Sequence, residues 1–274
     1  MSSRVDNSTS IHLIKTSLWG VARGIAVHSL IYPLEVVKIR QQCSGKSEKS
    51  YRIALTLFRQ EGAKPFYQGL SADLLRTSLK QLWSWPMMTG LPLFLEGHDI
   101  ADYRREIFTG LAIATIDAAV STPLERMKIT SAFTGKSTFS FSNVYKDGWT
   151  GFTTHWTKLC VNRSTFLTAQ KYFRDRAQKK PEEKLSLREL TIIGVKSALV
   201  VSVIGAPFDM GNTLKQALNI SPTHLFSRKV VSNWYRGWPL SMLCLAVHNV
   251  ASAIVIDKLE ESRKPNLQKM FTAT

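Results

Sequence analysis

The chain is poor in cysteine and in acid. Its three cysteines, Cys43, Cys160 and Cys244, are widely separated and form no CxxC, which excludes a zinc-ribbon site or a disulfide framework and leaves three packing thiols. Thirty-six Lys and Arg face only 20 Asp and Glu, a net charge of +16. Such an excess calls for a polyanion, an anionic membrane surface or small anions as partner. The opening MSSRVDNSTS lacks the basic start and apolar core of a secretory signal and is a poor cleaved presequence, so targeting information is expected inside the chain. There is no HExxH and no GxSxG, and the GKS tripeptides at Gly45 and Gly135 lack the glycine five places earlier that a P-loop needs. No zinc-finger or RRM signature accompanies the basic charge, so nucleic acid polymer is not the expected partner. No cofactor or metal is implied, and the chain does not read as an enzyme.

Long uninterrupted apolar runs are also scarce. Gly237–Ile256 is about one membrane span long, and Gln81–Leu95 is shorter. Elsewhere Asp117 and Lys196 interrupt apolar stretches. A buried helix of a soluble protein, or a helix with one face on lipid and the other on a watery cavity, would each read this way.

An internal repeat organises the rest. IYPLEVVKIRQQ, STPLERMKIT and GAPFDMGNTLKQ recur at near-equal intervals, at Pro33, Pro123 and Pro207. After each comes an aromatic-x-Gly: Tyr67-Gln68-Gly69, Trp149-Thr150-Gly151 and Tyr235-Arg236-Gly237. The period is therefore helix, proline-acid-base, loop, aromatic-x-Gly, helix. Three periods predict six transmembrane helices in an all-α membrane protein, with both termini on one side.

On these residues the chain resembles the mitochondrial carrier family, whose signature is P-x-[DE]-x-x-[KR]-x-[KR] followed by [DE]-G-x4-[YWF]-[KR]-G. The first copy fits at Pro33, Glu35, Lys38, Arg40, Glu61-Gly62 and Tyr67 to Gly69. The second keeps Pro123, Glu125 and Lys128, but Asp147-Gly148 runs straight into Trp149, so the intervening loop looks shortened. The third keeps Pro207 and Asp209, with Asn212 where a base is expected. The resemblance implies three pseudo-repeats, 1–99, 100–180 and 181–274, in one monomer. A helical protein with helix-breaking prolines and local salt bridges is the plainer alternative.

The resemblance further implies a gate on the proline side, where Glu35 pairs with Lys128 and Asp209 with Lys38. Glu125 would face Asn212, which cannot form an ion pair. Gln42, one turn beyond Lys38, would brace the first of these pairs; Ala132 and Gln216 stand at its equivalents. The stretches expected to form the opposite gate, MMTGLPLFLEG, KYFRDRAQK and IDKLEESR, do not complete the [FY]-[DE]-x-x-[KR] pattern. Both gates are thus expected to be weak, which implies net or one-directional movement beside strict exchange. Gly69, Gly151 and Gly237, the last with Arg236, would admit a lipid phosphate to helix N-termini, with cardiolipin the implied lipid.

Seven residues past each of these glycines stand Arg76, Lys158 and Cys244. Lys80 and Ser84 follow Arg76 at one-turn intervals, Leu159 and Arg163 follow Lys158, and His248 follows Cys244. His28 lies five before Pro33. By resemblance these nine residues face a mid-membrane cavity. Arg76, Lys80, Lys158 and Arg163 in apolar segments are costly unless they meet water or an anion, so the expected cargo is anionic. A nucleotide such as ATP or ADP is the first expectation; phosphate, sulfate or a di-/tricarboxylate is the alternative. Lys158 and Cys244 depart from the residues expected in an adenine-nucleotide exchanger. A non-transporting membrane adaptor on the same fold, or a basic nucleic-acid binder, would be a different class of protein. The implied location is the mitochondrial inner membrane; a carrier supplied by an intracellular bacterium to host mitochondria would also suit the divergence.

Overall fold

The computed structural model describes residues 7–44, 48–96, 102–136, 147–178, 185–220, 234–252 and 254. Among these there is no strand. The chain forms α1 (Asn7–Cys43), α2 (Ser50–Glu61), α3 (Leu70–Glu96), α4 (Asp102–Thr134), α5 (Phe152–Ala177) and α6 (Leu187–Leu218). A further helix, α7, runs over 238–252. Pro33, Pro123 and Pro207 lie inside α1, α4 and α6, the three long odd-position helices of the repeat. The start of α6 is fixed by a capping box: Ser186 Oγ accepts from the Glu189 amide, and the Glu189 carboxylate accepts from the Ser186 amide.

The helices are apolar outside and polar inside. On α6, Ile192, Val195, Leu199 and Val203 are exposed at helical spacing, while Ser197, Ser202, Asp209 and Asn212 on other faces are buried. On α4, Phe108 and Leu111 face outward; Asp117, Ser121, Glu125 and Lys128 are buried. In water this pattern would expose apolar surface and bury charge, both unfavourable. In lipid it is the expected arrangement around a polar interior. Two helices, Tyr103–Thr134 and Leu187–Leu218, are long and apolar enough by composition alone to cross a membrane. Lys196, which interrupts the apolar run of α6, lies exposed with its ammonium 5.8 Å from the Phe173 ring centroid.

Glycines set two recurring contacts. Inside a helix pair, a Cβ on Gly110 would come within 2.8 Å of the Ser164 backbone, and one on Gly194 within 2.8 Å of the Val250 backbone. These close approaches clamp α4 to α5 and α6 to α7. Between pairs, the left-handed glycines Gly69, Gly151 and Gly237 (φ +87°, +84° and +75°) open α3, α5 and α7. Each sits against the proline-bearing helix of the next pair: Gly69 on Lys128 and Ser131 of α4, Gly151 on Lys215 and Gln216 of α6, Gly237 on Lys38 of α1. The last contact, with Arg23 donating to the His248 carbonyl at 3.3 Å, closes the helices into a ring.

Candidate functional site

The ring encloses a cavity of about 240 Å³ lined from α1, α3, α4, α5, α6 and α7. Its floor is a set of buried ion pairs just beyond the three prolines. Lys38 donates to Asp209 at 2.9 Å, and Lys128 donates to Glu35 and, at 2.9 Å, to Asp73. Arg76 lies 2.7 Å from Asp73 and 3.1 Å from Glu125. Lys158 lies 3.2 Å from Glu125 and 2.9 Å from Asp209. Four carboxylates, Glu35, Asp73, Glu125 and Asp209, therefore meet four bases, Lys38, Arg76, Lys128 and Lys158, and the floor is neutral. Outside it, Arg40 ties Glu61 (3.1 Å) to the Ala132 carbonyl (3.0 Å), which locks α2 to the ends of α1 and α4.

Away from the floor the balance changes. Arg23, Lys80 and Arg163 line the cavity. Arg163 pairs with Asp117 at 3.2 Å, and Arg23 donates to Ser252 Oγ at 3.0 Å. Asp117 also accepts from Trp83 Nε1 (2.7 Å) and from Ser84 (3.3 Å). Lys80 makes no hydrogen bond or ion pair among the described residues. His28 is held by Asp73 at 2.6 Å and packs on His248, with ring centroids 4.5 Å apart.

Comparison with known proteins shows what part of this ring is similar to. The family model described as mitochondrial carrier protein matches residues 9–97, which span α1 to α3 with the first gate residues and the first aromatic-x-Gly. A stretch of 111 residues is 35% identical to the mitochondrial S-adenosylmethionine carrier protein of Mus musculus, covering 39% of this chain and 40% of that one. The mitochondrial dicarboxylate/tricarboxylate transporter of Arabidopsis thaliana is 29% identical over 116 residues, 41% of this chain and 38% of its own. The mitochondrial arginine transporter of the same plant is 27% identical over 106 residues, 36% and 34% of the two chains. Residues 9–97 are thus similar to mitochondrial carrier proteins, and the partial matches to the three carriers agree with that similarity. The matches span 34–40% of the relatives' lengths.

The ion pairs beyond the prolines include two of those expected, Glu35–Lys128 and Asp209–Lys38. The third differs from expectation. Glu125 does not depend on Asn212; it takes Arg76 from α3 and Lys158 from α5. Lys158 touches Glu125 on α4 and Asp209 on α6 together, so it supplies the link that Asn212 cannot. Asn212 is fully buried, its Oδ1 3.4 Å from Thr154 Oγ1. The gate is therefore not short of a connection. Gln42 also differs: it donates to Asp209 at 3.3 Å and braces the Lys38–Asp209 pair rather than Glu35–Lys128.

Of the nine cavity residues expected from spacing, His28, Arg76, Lys80, Lys158, Leu159, Arg163, Cys244 and His248 line the cavity. Ser84 does not; it is buried against Asp117. Arg76 and Lys158 line it only as members of the gate. Spacing missed Arg23, Asp73, Asn162 and Asn249. Asp73 had a signal available, an acid inside an apolar helix three residues before an arginine. Of the opposite gate, IDKLEESR lies outside the described residues.

Proposed function

We propose that this carrier moves a small anionic metabolite across the mitochondrial inner membrane by alternating access, as a monomer of three repeats (1–99, 100–180 and 181–274). One observation carries the reading: a neutral, closed floor of ion pairs lies beneath a cavity lined by Arg23, Lys80 and Arg163, of which Lys80 makes no hydrogen bond or ion pair among the described residues. Such a cavity attracts an anion, and cargo binding offsets part of the cost of parting the floor. The three similar proteins are described as carriers or transporters, which supports reading this chain as a transporter. The cargo is a nucleotide such as ADP or ATP, or else a carboxylate, phosphate or sulfate. The cargoes named for the three relatives, S-adenosylmethionine, di- and tricarboxylates, and arginine, all bear a carboxylate. The relatives are animal and plant proteins, and they lend no support to action in a host's mitochondria.

The test is reconstitution of the purified protein in liposomes, followed by uptake of labelled anions. Saturable uptake of at least one is expected. A protein that takes up none, but binds a protein partner, would be an adaptor.

Gly69, Gly151 and Gly237 begin helices beside the exposed aromatics Tyr67, Trp149 and Tyr235, and the first turn of a helix carries amides without an intrahelical partner that attract anions. Cardiolipin is the proposed ligand there. Added cardiolipin should raise the melting temperature of the detergent-solubilised protein more than an uncharged lipid does. Gly151→Ala should lower both that gain and the starting stability, the latter by about 1–2 kcal/mol for a side chain in a left-handed conformation. Equal stabilisation by both lipids would remove the lipid assignment.

A further inference from the structure

The cation count separates the possible cargoes, granted the anion-carrier reading. Spacing offers four cations for a multiply charged ligand: Arg76, Lys80, Lys158 and Arg163. The structure takes Arg76 and Lys158 into the floor, each on two carboxylates, and gives Arg163 to Asp117. Lys80 alone of the four makes no hydrogen bond or ion pair among the described residues, and it lines the cavity one turn on from Arg76. Two asparagines stand in the same lining. Asn162, one turn on from Lys158, has a buried Oδ1 without a partner, and Asn249, beside His248, is 5% exposed with a buried Nδ2 without one. Buried amide atoms are costly unless hydrogen-bonded. As placed, Asn162 leaves an acceptor and Asn249 a donor in the lining of a site that already holds an ammonium.

We infer that the cargo is a small carboxylate of one or two negative charges that also carries a hydroxyl or amino donor. It is held by Lys80, Asn162 and Asn249, one turn removed from the positions of Arg76 and Lys158. Lys80 takes the carboxylate, and the asparagines take the hydroxyl or amino group and a second oxygen. A nucleoside triphosphate has too much charge for what this tier leaves uncommitted. Arg163, fixed by Asp117, limits the space beside it.

Gly205 supplies a clean perturbation. A Cβ there would lie 2.1 Å from Asn162 Oδ1, the free end of a side chain. Gly205→Ala therefore moves the Asn162 amide without touching the floor. Ligand-induced stabilisation of the detergent-purified protein is measured with L-malate, succinate, ADP and ATP, and exchange of each is measured in liposomes. L-malate should stabilise more than succinate, and either more than ADP or ATP. Lys80→Ala should weaken malate binding at least about tenfold, and Gly205→Ala several-fold, with the melting temperature of the ligand-free protein little changed. Tighter binding of ADP or ATP than of malate overturns the carboxylate inference while leaving the anion-carrier reading intact. Unchanged malate affinity in both variants overturns the Lys80–Asn162–Asn249 site. No binding or exchange of any anion overturns both readings.

Discussion

Lys158→Ala should uncouple the carrier rather than merely weaken its cargo binding. Lys158 spans Glu125 on α4 and Asp209 on α6, and no arginine or lysine at position 212 duplicates that span. Removing it leaves Glu125 on Arg76 alone and Asp209 on Lys38 and Gln42. Breaking one partner out of a buried ion pair costs about 3–5 kcal/mol, because the remaining charge stays buried. That cost falls on the closed state, so passage of the empty protein through the parted gate becomes easier. The expected result is a lower melting temperature, with a rise in labelled anion uptake by empty liposomes relative to loaded ones. If Lys158 were a cargo contact alone, KM would rise while the empty-to-loaded ratio and ligand-free stability stayed as they were.

Asn212→Arg should be harmful alone and restorative in combination. An intact family signature would place a base here to pair with Glu125. In this carrier Asn212 is completely buried, and Glu125 already holds Arg76 and Lys158. A fifth base in a floor of four and four adds an uncompensated charge and a larger side chain, and both are destabilising. A loss of about 3 kcal/mol or more is expected for the single variant. In Asn212→Arg/Lys158→Ala the charges balance again, the space of the lysine is released, and the α4–α6 link passes directly through the new arginine. The double variant should recover much of the lost stability and much of the dependence on internal counter-substrate. A double-mutant cycle in melting temperature and exchange ratio measures this. Additive losses would show that positions 158 and 212 do not exchange roles.

The expectation of a weak gate, with net or one-directional movement, rested on Asn212 and the incomplete opposite-side motifs. The proline-side half of that basis is removed by the Lys158 bridge. Ion pairs link all three proline-bearing helices, α1–α4, α1–α6 and α4–α6, so under the proposed function opening on this side parts all three links. Under the proposed function, transport coupled to cargo binding is the expectation on this side.

The repeat was legible because it is local: proline, acid and base three apart, and aromatic-x-Gly each announce themselves within a few residues. Pairs between the proline-bearing helices were implied by the family resemblance, and Glu35–Lys128 and Asp209–Lys38 are both present. What the repeat could not show was anything that breaks it. Asp73 has His155 and Ser241 at its equivalents, four past Gly151 and Gly237, so symmetry gives no hint that it would hold Arg76, Lys128 and His28 together. Counting seven past each glycine put Arg76 and Lys158 correctly on the cavity side. It could not tell whether their long side chains turn to the cargo or down to the carboxylates. That choice depends on which charges are left over, and the missing base at 212 settles it. Asn162 and Asn249 escaped notice because a lone asparagine in an apolar helix carries no pattern; only burial without a partner marks them.

The central claim, a neutral gate under an anion-holding cavity, is tested most directly by uptake of labelled L-malate into cardiolipin-containing liposomes. Vesicles bearing the purified carrier are prepared with or without internal malate. The account predicts saturable uptake that is much faster into loaded vesicles for the intact protein, with that advantage largely lost in Lys158→Ala. Uptake by the intact protein that ignores internal anion, or a Lys158→Ala variant that keeps the full advantage, would contradict it.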